Sequence, residues 1–162
     1  MFSGGNNLTV GANIFSVIVT APDGVTTKTY TVTITRQSAL ETWRFTWFGT
    51  TANTGAAAAA ADPFHTGVPN LAVFAILGPN QNPAQVAHGL LPQPQIIGGS
   101  YVVTFTQPAG VTGVTYGAEW TVDLSSGSWT PIADTGTGTT HTFSVPIGSA
   151  PMKFVRLTVT PQ

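Results

Sequence analysis

The stretch "ADPFHTGVPNL", residues 61–71, contains residue types that could bind a metal ion. Asp62 supplies a carboxylate, Gly67 follows five residues later, and an apolar run comes next. Calcium loops place oxygen ligands at positions 1, 3, 5 and 12 and a glycine at position 6. With Asp62 at position 1, Gly67 takes the glycine position, so the spacing predicts a loop of calcium-binding shape.

The other ligand positions of this loop carry no carboxylate, because positions 3, 5 and 12 fall on Phe64, Thr66 and Val73. Calcium takes about six to eight oxygen ligands, and a single carboxylate lacks the charge to offset its dehydration. His65 has no second histidine or cysteine at zinc-ligand spacing. We therefore predict no metal and no other cofactor, and a degenerate loop shaped by apolar packing. Its remaining polar residues are Asp62, Thr66 and Asn70.

Catalytic chemistry has few candidate residues. His65, His88 and His141 are far apart in the sequence, and no G-x-S-x-G nucleophile elbow is present. Glu119 and Asp123 share a strand face but lie roughly 13 Å apart along it, beyond the ~5–9.5 Å that separates glycosidase carboxylates. We predict no catalytic residues and no enzyme. A hydrolase is the third hypothesis, and it requires a pocket that joins His88 or His141 to a carboxylate.

Aromatic side chains offer a second kind of site. Exposed Trp and Tyr rings can stack on the apolar faces of sugars, so a carbohydrate-binding module is the alternative to a purely structural one. Core packing is the other explanation for the same side chains. The candidate platform residues are Trp129, Tyr101 and Tyr116.

Composition limits the partners of the chain. Only 7% of the 162 residues are charged, against roughly 25% in typical soluble domains. The net charge is −1 with five basic residues, which predicts no binding to nucleic acid. No apolar run approaches the ~20 residues of a membrane span, which predicts no membrane insertion. The residues after Met1 have no signal-peptide pattern, and we interpret the chain as a fragment of a longer protein.

The elements that must position these residues begin with a hairpin. "NIFSVIVTA" and "KTYTVTITR" are rich in β-branched residues and flank the turn "PDGVTT". Apolar residues alternate with threonines along the second strand, which gives one apolar and one hydroxylated face. A lone hairpin is marginal in water. We therefore expect adjacent modules, or self-association and β-augmentation through residues 10–36. The predicted apolar face consists of Phe15, Val17, Val19, Tyr30, Val32 and Ile34.

A helical segment and a second set of strands follow. "ALETWRFTWF" has helical spacing, with Ser38 as N-cap and Gly49 as stop, and "PNLAVFAILG" predicts a second apolar helix. The Pro- and Gln-rich residues 81–95 predict a linker. Thr-rich, Gly- and Pro-punctuated sequence then predicts five strands, with a sixth at "IIGG". The predicted fold is mainly β: an antiparallel β-sandwich preceded by the hairpin and by two or three short helices.

Two family resemblances cover most of the chain. Residues 6–36 resemble the C-terminal end of the bacterial cadherin-like β-sandwich repeat, through Leu8, Gly11, Asn13, Asp23, Gly24, Lys28, Tyr30 and Arg36. Residues 40–160 are similar to C-terminal modules of large exported proteins of Verrucomicrobia-type bacteria, in which the calcium-type loop usually carries acids at all four ligand positions. The positions that match those modules include Trp43, Arg44, Asp62, Gly67, Tyr116, Glu119, Trp129 and Arg156.

The resemblances imply a domain organisation and a role. Residues 1–37 are a truncated cadherin-like repeat, 38–80 a helical segment with the degenerate loop, 81–95 a linker and 96–162 a C-terminal β-sandwich. The implied role is a non-catalytic structural or adhesion-type module at the C-terminal end of a multi-module exported protein. Its expected location is extracellular or on the cell surface, where a glycan is a further possible partner.

Overall fold

The computed structural model describes residues 8–149 and 152–162. The chain divides into two compact units, Met1–Ser38 and Ala39–Gln162. The described residues of the first unit form a two-stranded hairpin, and those of the second form short helices and two three-stranded antiparallel sheets. The prediction of a mainly β fold, an antiparallel sandwich with an N-terminal hairpin, is confirmed.

The hairpin pairs β1 (Gly11–Thr20) with β2 (Thr27–Arg36) in an antiparallel register. Phe15 lies opposite Val32 and Val17 opposite Tyr30, so the predicted apolar residues share one face. The other face carries threonines, together with two isoleucines, Ile14 and Ile18, which lie opposite Thr33 and Thr29.

The second unit begins with helix α1 (Ala39–Phe48), at the position that the spacing of its apolar residues predicts. Leu40 and Trp43 are buried, and the Trp43 ring packs 6.0 Å from the ring of Phe74. Gly49 ends the helix because its φ of +70° suits a residue without a side chain, and its N–H donates to the Phe45 carbonyl.

The predicted second apolar helix is short and changes its winding. Helix α2 (Asn70–Ala72) continues directly into a π-helical turn, Val73–Leu77, in which Val73 and Phe74 are completely buried. The residues 81–95 contain two 3₁₀ turns, Pro83–Gln85 and His88–Leu90. Val86 in this segment belongs to the same buried cluster as Trp43 and Phe74.

Two sheets form the sandwich, and their strands coincide with the six segments that the sequence predicts. One sheet has the order β3-β4-β7 and the other the order β6-β5-β8. Their bounds are β3 Gln95–Ile97, β4 Ser100–Thr106, β5 Val114–Thr121, β6 Thr130–Ile132, β7 Thr140–Pro146 and β8 Phe154–Pro161.

The two sheets are joined on one side by an antiparallel bridge between Asp134 and Phe143. The strands therefore follow one another as β8-β5-β6 and then β7-β4-β3. As a result, β8 and β3 are the terminal strands of the described sheets, on the side away from this bridge. Tyr116 on β5 packs against both buried clusters, one centred on Phe74 and one on Phe143.

Candidate functional site

The loop after the alanine tract is closed by the carboxylate of Asp62. Its Oδ1 accepts the N–H of Thr66 at 3.0 Å, and its Oδ2 accepts the N–H of Gly67 at 2.7 Å. The Thr66 hydroxyl also donates to Oδ1, at 3.1 Å. These bonds, with the Thr66 backbone N–H as the largest cause, lower the pKa of Asp62. The loop's own donors therefore satisfy the one carboxylate that the loop retains.

Asn70 fixes the far end of the same loop from a fully buried position. Its side-chain Nδ2 donates to the carbonyls of Ala56, at 2.7 Å, and Ala58, at 2.9 Å. Its backbone N–H donates to the carbonyl of Ala61. Because these three carbonyls come from the alanine tract, Asn70 ties that tract to the start of α2.

Backbone strain and apolar contact complete the loop. His65 has a φ of +54°, which is uncommon for a residue with a side chain, and Gly67 has a φ of +79°. The Phe64 ring stacks on Phe48 at 6.3 Å between centroids. In the residues that the structure describes, no three His, Asp or Glu side chains come together as a metal cluster. The absence of a metal from this loop stays a prediction.

One of the three histidines, His141, meets a carboxylate. His141 Nδ1 on β7 lies 2.6 Å from Oδ2 of Asp134, which follows β6. Oδ1 of Asp134 accepts the backbone N–H groups of Thr142 and Gly136, each at 2.9 Å. Partial burial favours the neutral form of Asp134, but the hydrogen bonds from His141 and these two N–H groups outweigh it and lower the pKa.

The surroundings of His141 are aromatic. The imidazole centroid lies 4.4 Å from the ring of Tyr116 and 5.2 Å from that of Phe105. Its Nε2 is buried and has no hydrogen-bond partner in the described part of the chain. The Asp134–His141 pair thus lies among aromatic rings at the junction of the two sheets.

Trp129 lies on the outer face of the second sheet beside an ion pair. The Arg156 guanidinium stacks on the indole ring at 3.9 Å from its centroid. The same guanidinium donates through Nε and Nη2 to Oε2 of Glu119, at 3.0 and 2.8 Å. Because Arg156 covers one face of the half-buried indole, a sugar could stack only on the other face.

The two tyrosines of the predicted sugar platform lie elsewhere in the sandwich. Tyr116 directs its hydroxyl inward and donates to the carbonyl of Ala75 at 2.6 Å. Burial raises the pKa of Tyr116 to about 12. Tyr101 on β4 is half-buried and packs against the sandwich cluster. The sugar platform stays a prediction, and Trp129 is the one indole among its three candidates.

A groove in the second unit was not predicted from the sequence. It encloses about 550 Å³ between the helical segment and the sandwich, and we call it the apolar groove. Most of its wall is aliphatic, and none of the described residues that line it carries a carboxylate. Its helical side includes Leu71 and Ile76, and its sandwich side includes Val103, Val155, Leu157 and Val159.

One of the two features that the sequence analysis missed left a trace in the sequence. Asp134 and His141 flank the short Gly- and Thr-rich turn "TGTGTT", so a hairpin register could have placed them together. The groove left no such trace, because its lining residues come from four separated segments of the chain.

Comparison with known proteins identifies the class of the N-terminal segment. Residues 5–37 match the family described as cadherin-like beta sandwich domain. This match confirms the cadherin-like resemblance and suggests a structural or adhesion-type module. It covers about a fifth of the chain, and the resemblance of residues 40–160 stays a prediction. No curated protein and no solved structure matches the chain.

None of the helices within residues 8–149 and 152–162 is long enough and apolar enough to cross a membrane.

Proposed function

We propose that this chain is a non-catalytic structural or adhesion-type module of a multi-module exported bacterial surface protein, and that it makes its contacts through the N-terminal hairpin. The observation that carries the proposal is the exposed state of both hairpin faces. Ile14 and Ile18 are 68% and 67% exposed on one face, and Val32 is 54% exposed on the other. An isolated two-stranded hairpin is only marginally stable in water, so these exposed apolar side chains favour contact with another β-strand or sheet.

The edges of the hairpin support the same proposal. Natural proteins protect edge strands with lysine, proline or bulges. β1 reads "GANIFSVIVT" and has no charged residue and no proline, whereas β2 carries Lys28 and Arg36. The unprotected edge of β1 is therefore the side on which a further strand can add.

Light scattering after size-exclusion chromatography, over a range of concentrations, tests the proposal. We expect concentration-dependent self-association, with slower amide exchange in residues 10–36 at high concentration. Ile14→Lys with Ile18→Lys should weaken association, because these are the most exposed aliphatic side chains of β1. The matched control, Thr29→Lys with Thr33→Lys, places the same charges on the hydroxylated face of β2. A strict monomer whose hairpin amides are strongly protected would contradict the proposal.

A carbohydrate-binding module is the second candidate, and the partly exposed indole of Trp129 favours it. A sugar would stack on the face of the Trp129 ring opposite Arg156, and the cation–π contact with Arg156 would hold the ring in a fixed orientation. A glycan array probed with the chain and with Trp129→Ala tests this candidate. Binding that disappears in the variant while circular dichroism is unchanged supports it, and the absence of binding by the unaltered chain sinks it.

A further inference from the structure

Two of the strand edges in the described part of the chain, those of β8 and β1, have matching patterns of backbone groups. Gln162 donates its N–H to the carbonyl of Gly113, which makes these two residues a hydrogen-bonded pair of the β5–β8 ladder. Hydrogen-bonded pairs alternate with non-bonded pairs along an antiparallel ladder. The N–H and C=O groups of three β8 residues therefore point away from β5, toward the open side of the sheet. These residues are Val155, Leu157 and Val159.

The same argument applies to β1. Ala21 donates its N–H to the carbonyl of Thr26, which continues the β1–β2 register as a hydrogen-bonded pair. Along β1, the groups of Ile14, Ser16 and Ile18 consequently point away from β2. Both strands thus present an alternating row of unpaired backbone groups, the template that strand addition uses.

We infer that the hairpin of one copy adds through β1, antiparallel, to the β8 edge of a second copy and covers the apolar groove. The inference rests on the proposed function and names the acceptor of the hairpin. In an antiparallel pair, residues whose backbone groups face each other also share a sheet face. The addition therefore places three residues of β1 on the same sheet face as three residues of β8 that line the groove. The β1 residues are Ile14, Ser16 and Ile18, and the β8 residues are Val159, Leu157 and Val155.

This arrangement accounts for the two isoleucines on the threonine face of the hairpin. In the register that pairs Ser16 with Leu157, Ile14 lies beside Val159 and Ile18 beside Val155. β1 then spans the whole of β8, since the register runs from Gly11 opposite Gln162 to Thr20 opposite Lys153. The most exposed aliphatic side chains of β1 become covered by the valines and the leucine of β8 that line the groove.

Charge selects both the strand and its direction. β2 carries the cations Lys28 and Arg36, so its addition would put two positive charges beside a strand that already carries Arg156, whereas β1 brings no charge. The antiparallel direction carries the hairpin turn toward Lys153. The hydroxyl of Thr26 and two backbone N–H groups lower the pKa of Asp23 in that turn, so Asp23 is an anion near neutral pH. A cation and an anion therefore face each other at this end of the pair.

Disulfide trapping between two singly substituted chains tests the pairing, because the chain has no cysteine of its own. The register places Phe15 opposite Thr158 as a non-hydrogen-bonded pair, whose short Cβ separation suits a disulfide. We expect mixed chains with Phe15→Cys and Thr158→Cys to form a crosslinked dimer. The control is Val32→Cys, which shares the face of Phe15 but lies one strand further away, and it should not crosslink with Thr158→Cys.

Residue-by-residue amide exchange gives a second readout that does not depend on a variant. On association, the amides of Leu157 and Ser16 should gain protection, and that of Thr158 should not, because it already bonds to β5. Lysine at both Ile14 and Ile18 should weaken association about tenfold or more, while lysine at Thr29 and Thr33 leaves it unchanged.

Different experimental results would overturn the proposed function and the choice of β8 as the acceptor strand. A chain that is monomeric at every concentration and has strongly protected hairpin amides overturns the proposed function and this inference together. A monomer whose hairpin amides exchange freely overturns this inference alone. A chain that associates but crosslinks Phe15→Cys to itself pairs β1 with β1, which overturns the β8 acceptor and leaves the proposed function intact. Gained protection on the Thr29 and Thr31 amides would place the added strand on β2 and has the same consequence.

Discussion

The Nδ1 atom of His141 lies 2.6 Å from the Oδ2 atom of Asp134, and this contact connects the two sheets of the sandwich. Asp134 is also the residue that bridges to Phe143 on β7. The carboxylate therefore acts at a backbone junction, where it bonds the imidazole through one oxygen and two backbone N–H groups through the other.

Replacing Asp134 by alanine should destabilise the sandwich. The variant removes the acceptor of the Thr142 and Gly136 N–H groups and the anion beside the His141 ring. Hydrogen bonds to a charged group contribute about 1.5–3 kcal/mol, and we expect a loss of that order in the free energy of unfolding. Chemical denaturation measures it. Asp123→Ala, which removes a carboxylate from an exposed turn, is the control and should cost less.

The same carboxylate predicts a loss of stability in acid. The pKa of Asp134 in the folded chain lies below the ordinary value of 3.8, so the folded state favours the ionised form. This stabilisation is complete above the unfolded pKa and is lost as the pH falls through the folded one. Denaturation midpoints from neutral pH downward should fall more steeply for the unaltered chain than for Asp134→Asn. Parallel curves would contradict this assignment.

The stability that Tyr116 contributes should change with pH in the opposite direction and at high pH. Its pKa is raised from 10.0 to about 12, so its contribution is present below the unfolded pKa and is lost as the pH rises through the folded one. Tyr116→Phe should cost about 0.5–1.5 kcal/mol at neutral pH, because it removes the bond to Ala75. The tyrosinate absorbance of the unaltered chain should show one late-titrating group that is missing in the variant.

Calcium should leave the chain unchanged. Asp62 already accepts three hydrogen bonds from its own loop, and a calcium ion would have to replace these donors. No second carboxylate would help to bind it, because two of the other ligand positions are occupied by Phe64 and Val73. We expect isothermal titration calorimetry to show no stoichiometric uptake at millimolar calcium, and the thermal midpoint to stay the same with and without chelator. Tight uptake that Asp62→Asn abolishes would overturn the degenerate-loop interpretation.

Gly136 should tolerate no side chain. A Cβ at this position would lie 2.0 Å from the carbonyl oxygen of Thr140, within the turn that joins Asp134 to β7. Because the obstacle is backbone, relief requires the turn to move, and overpacking of this kind costs about 1–3 kcal/mol. Gly89→Ala is the control, since a Cβ there meets open space. Equal stability of the two variants would show that the turn can relax freely.

The sequence by itself determined the local elements. Alternating apolar and hydroxylated residues predicted the two faces of β2, and the helical spacing of Leu40, Trp43 and Trp47 located α1. These patterns are readable because strand and helix periods are properties of neighbouring residues. The cadherin-like character of the first segment could be recognised for the same reason, since its motif lies within one hairpin.

Only the tertiary structure decided which distant residues meet. The bridge between Asp134 and Phe143, the covering of Trp129 by Arg156 and the groove beside β8 each join segments that no local period relates. The pattern of backbone hydrogen bonds along β8 is likewise set by β5, whose residues precede their β8 partners by 33 to 47 positions, from Thr121 with Phe154 to Val114 with Pro161. Contacts of this kind depend on how the sheets stack, and stacking is a property of the whole packed chain.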